Sequence, residues 1–172
     1  MNRLPKDEYY LNIAKEVSIR STCMMSRIGA IIVKDDQIVA TGYNGAPRST
    51  KDCYGHNLCM RRKLNIPSGQ RYELCRSVHA EQNAIINAAR AGVSLLNGDM
   101  FIYGIKQSTG ETINVFPCFI CKKMIINAGI VRLIAKQSDG SIKIFYIKDW
   151  VKEWQQNDII DDKERYFVDY NK

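Results

Sequence analysis

The runs Met100-Phe101-Ile102-Tyr103-Gly104-Ile105, Pro117-Cys118-Phe119-Ile120-Cys121-Lys122-Lys123-Met124-Ile125-Ile126-Asn127-Ala128-Gly129 and Val131-Arg132-Leu133-Ile134-Ala135 read as strand, helix, strand. The outer two are short, apolar and rich in β-branched or aromatic residues, as buried strands are. The middle run opens on a proline and meets Gly129 just past its last turn, the usual asymmetry of a helix from Pro117 to Ala128. Between the first strand and that helix, Ser108-Thr109-Gly110-Glu111 reads as a turn that lets the chain double back before Pro117.

Upstream, a helix starts near His79, carries Ala84, Ile85, Ala88 and Ala89 on its apolar side, and stops around Gly92. Before it, Ile28 to Lys34 and Gln37 to Tyr43 are separated by Asp35-Asp36, as in a β-hairpin, and Asn44-Gly45-Ala46-Pro47 ends the second strand. Residues 48 to 76 are polar, irregular and contain three cysteines. Asp7 to Arg20 has an apolar face of Tyr10, Leu11, Ala14, Val17 and Ile19 at approximately helical spacing. Downstream, Ile142 to Ile147 is a further strand. The tail from Asp149 carries Trp150, Val151 and Trp154 at the spacing of a packed terminal helix, to which no function is assigned. A helix, two antiparallel strands and two strand–helix alternations predict an α/β protein. Its expected form is a three-layer α/β/α sandwich, with helices on both faces of a mixed central sheet.

The bulk properties fit that class. The chain has 172 residues, 45% hydrophobic and 25% charged, enough for one core. No repeat, low-complexity segment or linker divides it, so a single domain over 1–172 is expected. Its apolar runs are too short for a membrane span and no apolar stretch follows the N-terminus, so a cytoplasmic protein without membrane contact is expected. The formal charge of +7 favours anionic partners, but no Lys/Arg block is long enough for a nucleic-acid arm. Six cysteines without a secretory signal point to metal, redox chemistry or core packing rather than disulfides.

The chemistry lies in two short motifs, His79-Ala80-Glu81 and Pro117-Cys118-Phe119-Ile120-Cys121, each at the start of an expected helix. Cysteines three apart on a helix present both sulfurs to one side. His79 makes a third ligand and leaves the fourth tetrahedral position of a zinc ion open for water, as a catalytic zinc requires. Helix N-termini favour thiolate over thiol. A zinc held this way brings the pKa of its water to roughly 7. Glu81 is then placed to accept a proton, deliver it to the ring and protonate the departing ammonia. A Cys-x-x-Cys alone also occurs in zinc ribbons and redox dithiols. A ribbon has no use for Glu81, however, and a thioredoxin-like dithiol needs no histidine on another helix.

The order His-x-Glu then Pro-Cys-x-x-Cys is the signature of zinc deaminases. Further segments resemble the deoxycytidylate (dCMP) deaminase family: Arg20-Ser21-Thr22-Cys23, Ile28-Gly29-Ala30-Ile31-Ile32-Val33, Gly42-Tyr43-Asn44-Gly45-Ala46-Pro47 and Ile66-Pro67-Ser68-Gly69. His79-Ala80-Glu81-Gln82-Asn83-Ala84-Ile85 and Asn127-Ala128-Gly129-Ile130 extend the likeness over residues 5 to 136. The resemblance implies a cytidine-deaminase-like fold with a catalytic core over 5–147 and a helical tail over 148–172. It also implies a homo-oligomer and hydrolysis of dCMP to dUMP and ammonia, with hydroxide on the zinc attacking C4. By the same resemblance Asn44 would bond the sugar hydroxyl. The Ala80 N–H is expected to help fix the base, and Arg27 and Arg48 are candidates for the phosphate. Asn44-Gly45 also serves as plain turn geometry, and either arginine as surface charge. A tRNA adenosine deaminase shares the zinc motifs but has a shorter link between hairpin and histidine. A non-catalytic zinc module of an assembly or DNA-uptake apparatus would not need Glu81. The stretch from Tyr103 to Phe116 is longer and more polar than the family's usual link, leaving nucleoside, dCTP or a modified pyrimidine open as substrates.

Cys23, Cys53, Cys59 and Cys75 remain. Some deoxycytidylate deaminases hold a second, structural zinc with ligands from these regions. Four thiolates, with His56 as an alternate, would clamp a polar insert. Alternatively Cys23 is a small core residue and the others are thiols.

Overall fold

The protein is described here from a computed structural model covering residues 3–67 and 69–157. Ser68 and the part of the expected tail beyond Asn157 lie outside the described residues. The helices are α1 (Lys6–Ser18), α2 (Met60–Lys63), α3 (Ala80–Arg90), α4 (Phe119–Asn127) and α5 (Ile147–Gln156). The strands are β1 (Ser26–Lys34), β2 (Gln37–Tyr43), β3 (Asp99–Lys106), β4 (Arg132–Lys136) and β5 (Ile142–Tyr146).

The five strands form one sheet in the order β2-β1-β3-β4-β5. Asp35 and Asp36, with φ of 49° and 62°, close the β1–β2 hairpin. Two consecutive positive φ values match the right-handed twist of the flanking strands. β3 runs antiparallel to β1, and α4 then carries the chain over to β4, parallel to β3. β5 returns antiparallel to β4, so the sheet is mixed as expected.

Alternation along the strands builds two cores. Ile31, Val33, Phe101, Tyr103 and Ile134 pack with Tyr10, Leu11 and Ala14 of α1. Ala30, Ile32, Met100, Ile102, Leu133 and Ala135 pack on the other side, with Ala84 and Ala88 of α3, Ile125 of α4 and Trp150 of α5. Helices therefore cover both faces.

Two glycines set how closely the helical layers approach. A Cβ at Gly29 would lie 2.0 Å from the Ala14 carbonyl oxygen of α1. A Cβ at Gly42 would lie 2.3 Å from the Ala84 nitrogen and 2.4 Å from the Ala80 oxygen of α3. In both places backbone meets backbone, and no side-chain adjustment makes room.

The boundaries differ from expectation in a few places. α4 starts at Phe119 rather than Pro117, with Cys118 as an extended N-cap at φ −68° and ψ 169°. β5 ends at Tyr146 and α5 begins at the next residue, with no loop between them. The irregular insert contains α2 and a 3₁₀ turn over Tyr72–Leu74. Its two ends are pinned by reciprocal backbone hydrogen bonds: the Gly45 N–H donates to Val78 at 3.1 Å and the Val78 N–H to Gly45 at 2.8 Å.

Gly42→Ala is expected to destabilise the chain by about 1–3 kcal/mol, the usual cost of overpacking. Because α3 must shift, zinc retention should fall with it. Gly55→Ala is the control, since its Cβ would meet side chains alone, the flexible Lys51 at 2.9 Å and Asp52 Oδ1 at 3.4 Å. Thermal melts and metal analysis of both variants check this; equal behaviour would remove Gly42 as the seat of α3.

Candidate active site

The site forms where α3 and α4 begin. His79 is the N-cap of α3 and Cys118 the N-cap of α4, while Cys121 is the third residue of α4. The caps are held by the backbone: the Asn83 N–H donates to the His79 carbonyl at 2.9 Å and the Lys122 N–H to the Cys118 carbonyl at 2.8 Å. Gln82 Oε1 accepts the His79 N–H at 2.9 Å, so a donor that α3 itself cannot satisfy is paired. Two cysteines at N-cap and third position face each other across one turn, which is the convergence the spacing implied.

His79 Nδ1 lies 3.5 Å from Cys118 Sγ and 3.3 Å from Cys121 Sγ. A tetrahedral zinc with Zn–S of about 2.3 Å and Zn–N of about 2.0 Å requires N···S separations of roughly 3.5 Å. The trio therefore fits the ion without rearrangement. Among the described residues it is the one group of three such side chains whose ligand atoms all lie within 4.8 Å of one another.

The Cys118 and Cys121 side chains are hydrogen-bonded to each other, which drives their pKa values apart. The hydrogen bond from Cys121 holds Cys118 at about 4 against the opposing effect of burial, with further help from His79. Cys121 is pushed up by the same hydrogen bond and by burial. Burial lowers the His79 pKa, but the Cys118 hydrogen bond and the Glu81 charge outweigh it, so the net shift is upward. Glu81 is only 4% exposed and also shifts upward, first through burial, with the His79 charge opposing. Its carboxyl hydrogen-bonds the Cys121 sulfur, placing it against the metal trio rather than within it.

His79, Ala80, Glu81 and Cys118 line one cavity of about 420 Å³. Ser26, Ile28 and Asn44 border it from the hairpin, and Lys106 with Ile113 to Phe116 from the β3–α4 connection. The long Tyr103–Phe116 stretch thus reaches the rim. The insert supplies a roof of Arg61, Arg62, Ile66 and Tyr72, whose ring stands edge-on to His79 at 4.7 Å and 88°.

The expected substrate residues divide. Ala80 is fully buried at the first position of α3, where its N–H has no partner four residues back. Asn44 reaches the cavity, but its side chain first ties the hairpin: Oδ1 accepts the Ile28 N–H at 2.8 Å and Nδ2 donates to Ser26 at 2.9 Å. Arg27 and Arg48 are not among the cavity-lining residues. Arg27 bonds Gln107, and Arg48 bonds Asn87 at 2.5 Å on α3. The cations that do line the cavity are Arg61, Arg62 and Lys106, which the sequence reading missed. For Arg61 and Arg62 the one trace was the basic run Met60-Arg61-Arg62-Lys63 inside an otherwise polar insert, whereas Lys106 is the last residue of β3.

Cys23, Cys53, Cys59 and Cys75 also border the cavity. Burial raises the Cys53 pKa, a hydrogen bond from Arg76 opposes it, and the other three thiols add to the rise. His56 is exposed.

An α/β/α sandwich with an open His-Cys-Cys metal trio and a buried glutamate beside it defines a zinc-dependent hydrolytic deaminase. The profile of the "Cytidine and deoxycytidylate deaminase zinc-binding region" matches residues 4–137. The chain belongs to that cytidine and deoxycytidylate deaminase family, and His79, Cys118 and Cys121 are its zinc ligands. It is 34% identical to the deoxycytidylate deaminase of Mycobacterium phage D29, over 78% of this chain and 96% of that one. It is 31% identical to the deoxycytidylate deaminase of Saccharomyces cerevisiae over 77% of this chain, and there it spans only 38% of the relative's length. The crystal structure of the dCMP deaminase of cyanophage S-TIM5 in complex with dCMP and dUMP superposes with a TM-score of 0.54 and 25% identity. That match covers 90% of this chain and 94% of the other. No helix among the described residues is long and apolar enough to cross a membrane.

Zinc binds deprotonated ligands, whereas in the metal-free chain Cys121 and His79 both hold their protons more firmly than usual. Loading must therefore expel protons, and affinity must rise with pH. Competition titrations between pH 6 and 8 are expected to show at least about a tenfold gain per pH unit, the slope for one released proton. A flat profile would mean that Cys121 is already ionised before the metal arrives.

Proposed function

We propose that the chain hydrolyses dCMP to dUMP and ammonia. The observation that carries the reading is a mononucleotide-sized cavity lined by Glu81, by His79 and Cys118 of the metal trio, and by the cations Arg61, Arg62 and Lys106. Similarity to the phage D29 enzyme over 96% of that relative supports it.

Zinc, when bound, supplies the Lewis acidity that activates water near neutral pH. The remaining steps fall to the chain's own groups. Glu81 takes a proton from the attacking water and gives it to N3 of the base as C4 accepts the oxygen. It then takes the remaining hydroxyl proton and delivers it to the amino group, which leaves as ammonia while the C4 carbonyl forms. Burial suits Glu81 to this shuttle, since a raised pKa brings donor and acceptor states closer together. The Ala80 N–H at the start of α3 holds the base. Asn44 has one amide hydrogen left, beyond the one given to Ser26, for a sugar oxygen.

The same reading includes a second zinc on Cys23, Cys53, Cys59 and Cys75. Their shared border on the cavity and the Arg76 hydrogen bond to Cys53, which would offset thiolate charge, support it. The sulfurs would have to draw together, since none of them belongs to a trio within 4.8 Å. The reading also includes a homo-oligomer, supported by large apolar side chains left exposed on or beside α4, β4 and β5, among them Phe116, Ile120, Val131 and Tyr146.

Ammonia release should be concentrated on dCMP rather than CMP, dCTP, deoxycytidine or a tRNA anticodon stem-loop. Glu81→Ala should lower turnover by roughly 10²- to 10⁴-fold, the range of a lost proton shuttle, with zinc retained. Turnover of the RNA alone would sink the substrate assignment, and turnover surviving Glu81→Ala would sink the mechanism. Zinc content settles the cysteine cluster separately: near two per chain supports the second site and near one removes it.

A further inference from the structure

Among the described residues Arg61 is one of the three Lys or Arg side chains that line the cavity. It lies on α2, in the roof of the cavity whose floor is His79 and Glu81. Its guanidinium carbon sits over the Tyr72 ring at 4.7 Å, and that ring in turn stands on the His79 ring at 4.7 Å. Two ring contacts therefore link the guanidinium to the metal ligand, and its charge is felt at His79. Nη2 donates to the Pro67 carbonyl at 2.6 Å, which fixes the head group within the insert. Among the described residues Nε is the one buried side-chain nitrogen or oxygen without a hydrogen-bond partner. A charged donor withdrawn from water without an acceptor is costly, and native structures rarely retain one without a use.

Arg61 lines the cavity, so an anion there would meet its guanidinium, whose N–H groups beyond Nε and the one given to Pro67 can take a further acceptor. Arginine's planar fork suits the oxygens of a phosphate ester, and stacking on an aromatic face holds that fork in plane. The base must lie against Glu81 and Ala80 for the chemistry. The phosphate of a nucleotide seated that way lies several bonds from the base, and Arg61 lines the same cavity as Glu81 and Ala80.

We infer that Arg61 recognises the phosphate ester of the substrate and is the residue that separates nucleotide from nucleoside. This rests on the nucleotide reading given above. Tyr72 is its platform, a positioning residue that orients the guanidinium without touching the reacting atoms.

The test compares kcat/KM for dCMP and for deoxycytidine in the zinc-loaded wild type, Arg61→Gln, Arg61→Lys and Arg62→Gln. Arg61→Gln should lose roughly 10- to 100-fold on dCMP, mainly in KM, with deoxycytidine unchanged, as expected for a lost charged hydrogen bond. Arg61→Lys should recover part of that loss, and Arg62→Gln should show a smaller effect. If nucleoside turnover is too slow to measure, inhibition by dUMP against deoxyuridine supplies the same ratio. Equal losses on both substrates would make Arg61 a prop of the roof and overturn the inference. An unchanged dCMP preference, or an equal effect of Arg62→Gln, would overturn it too while leaving the function reading standing. A wild type that prefers deoxycytidine over dCMP would overturn both.

Discussion

Everything at the site depends on how closely α3 can lie on β2. The contact is backbone against backbone, with Gly42 under Ala80 and Ala84, and a single methyl group would occupy space already filled. That seat fixes the height and rotation of the first turn of α3. His79, Ala80 and Glu81 all belong to that turn, so the metal ligand, the first amide of the helix and the buried carboxyl beside the metal trio are positioned by one packing event. The second half follows from α4, carried back along the sheet between the parallel strands β3 and β4. Two helix starts are thereby brought together, and helix starts bring N–H groups and a positive end that suit thiolates and an anionic substrate.

Much of this was legible in the sequence because the periodicities are strong. The β3–α4–β4 run, the hairpin around Asp35-Asp36 and the apolar face of α1 each repeat a local rule over many residues. The ligand trio was legible for a different reason: metal geometry demands particular residue types at particular spacings. What spacing could not tell was the backbone state at Cys118, which caps α4 from an extended conformation instead of lying inside it. Sulfurs at N-cap and third position converge as well as sulfurs on one helical face, so the sequence pattern is the same for both.

The substrate contacts were less legible, and for a physical reason. Arg27 and Arg48 lie near the right motifs in sequence, but bond to Gln107 and Asn87. Arg61 and Arg62 reach the cavity because the insert folds over it, and Lys106 because β3 ends there, neither of which a periodic pattern announces. Asn44 illustrates a mixed case. Its amide is spent largely on joining β1 to the end of β2, so a residue that resembles a ligand contact is at once a structural tie.

The pinned base of the insert has a consequence for how such a chain changes over time. Gly45 and Val78 meet through paired backbone hydrogen bonds, so the roof is a closed loop whose two ends already touch. Lengthening such a loop is cheap, on the order of 0.6 kcal/mol per doubling of its length. Residues can therefore be added, removed or exchanged above the base while the sheet, Gly42 and the zinc trio stay in register. The metal trio and the insert above it are thus held in separate parts of the molecule, and descent can vary the second while the first stays intact.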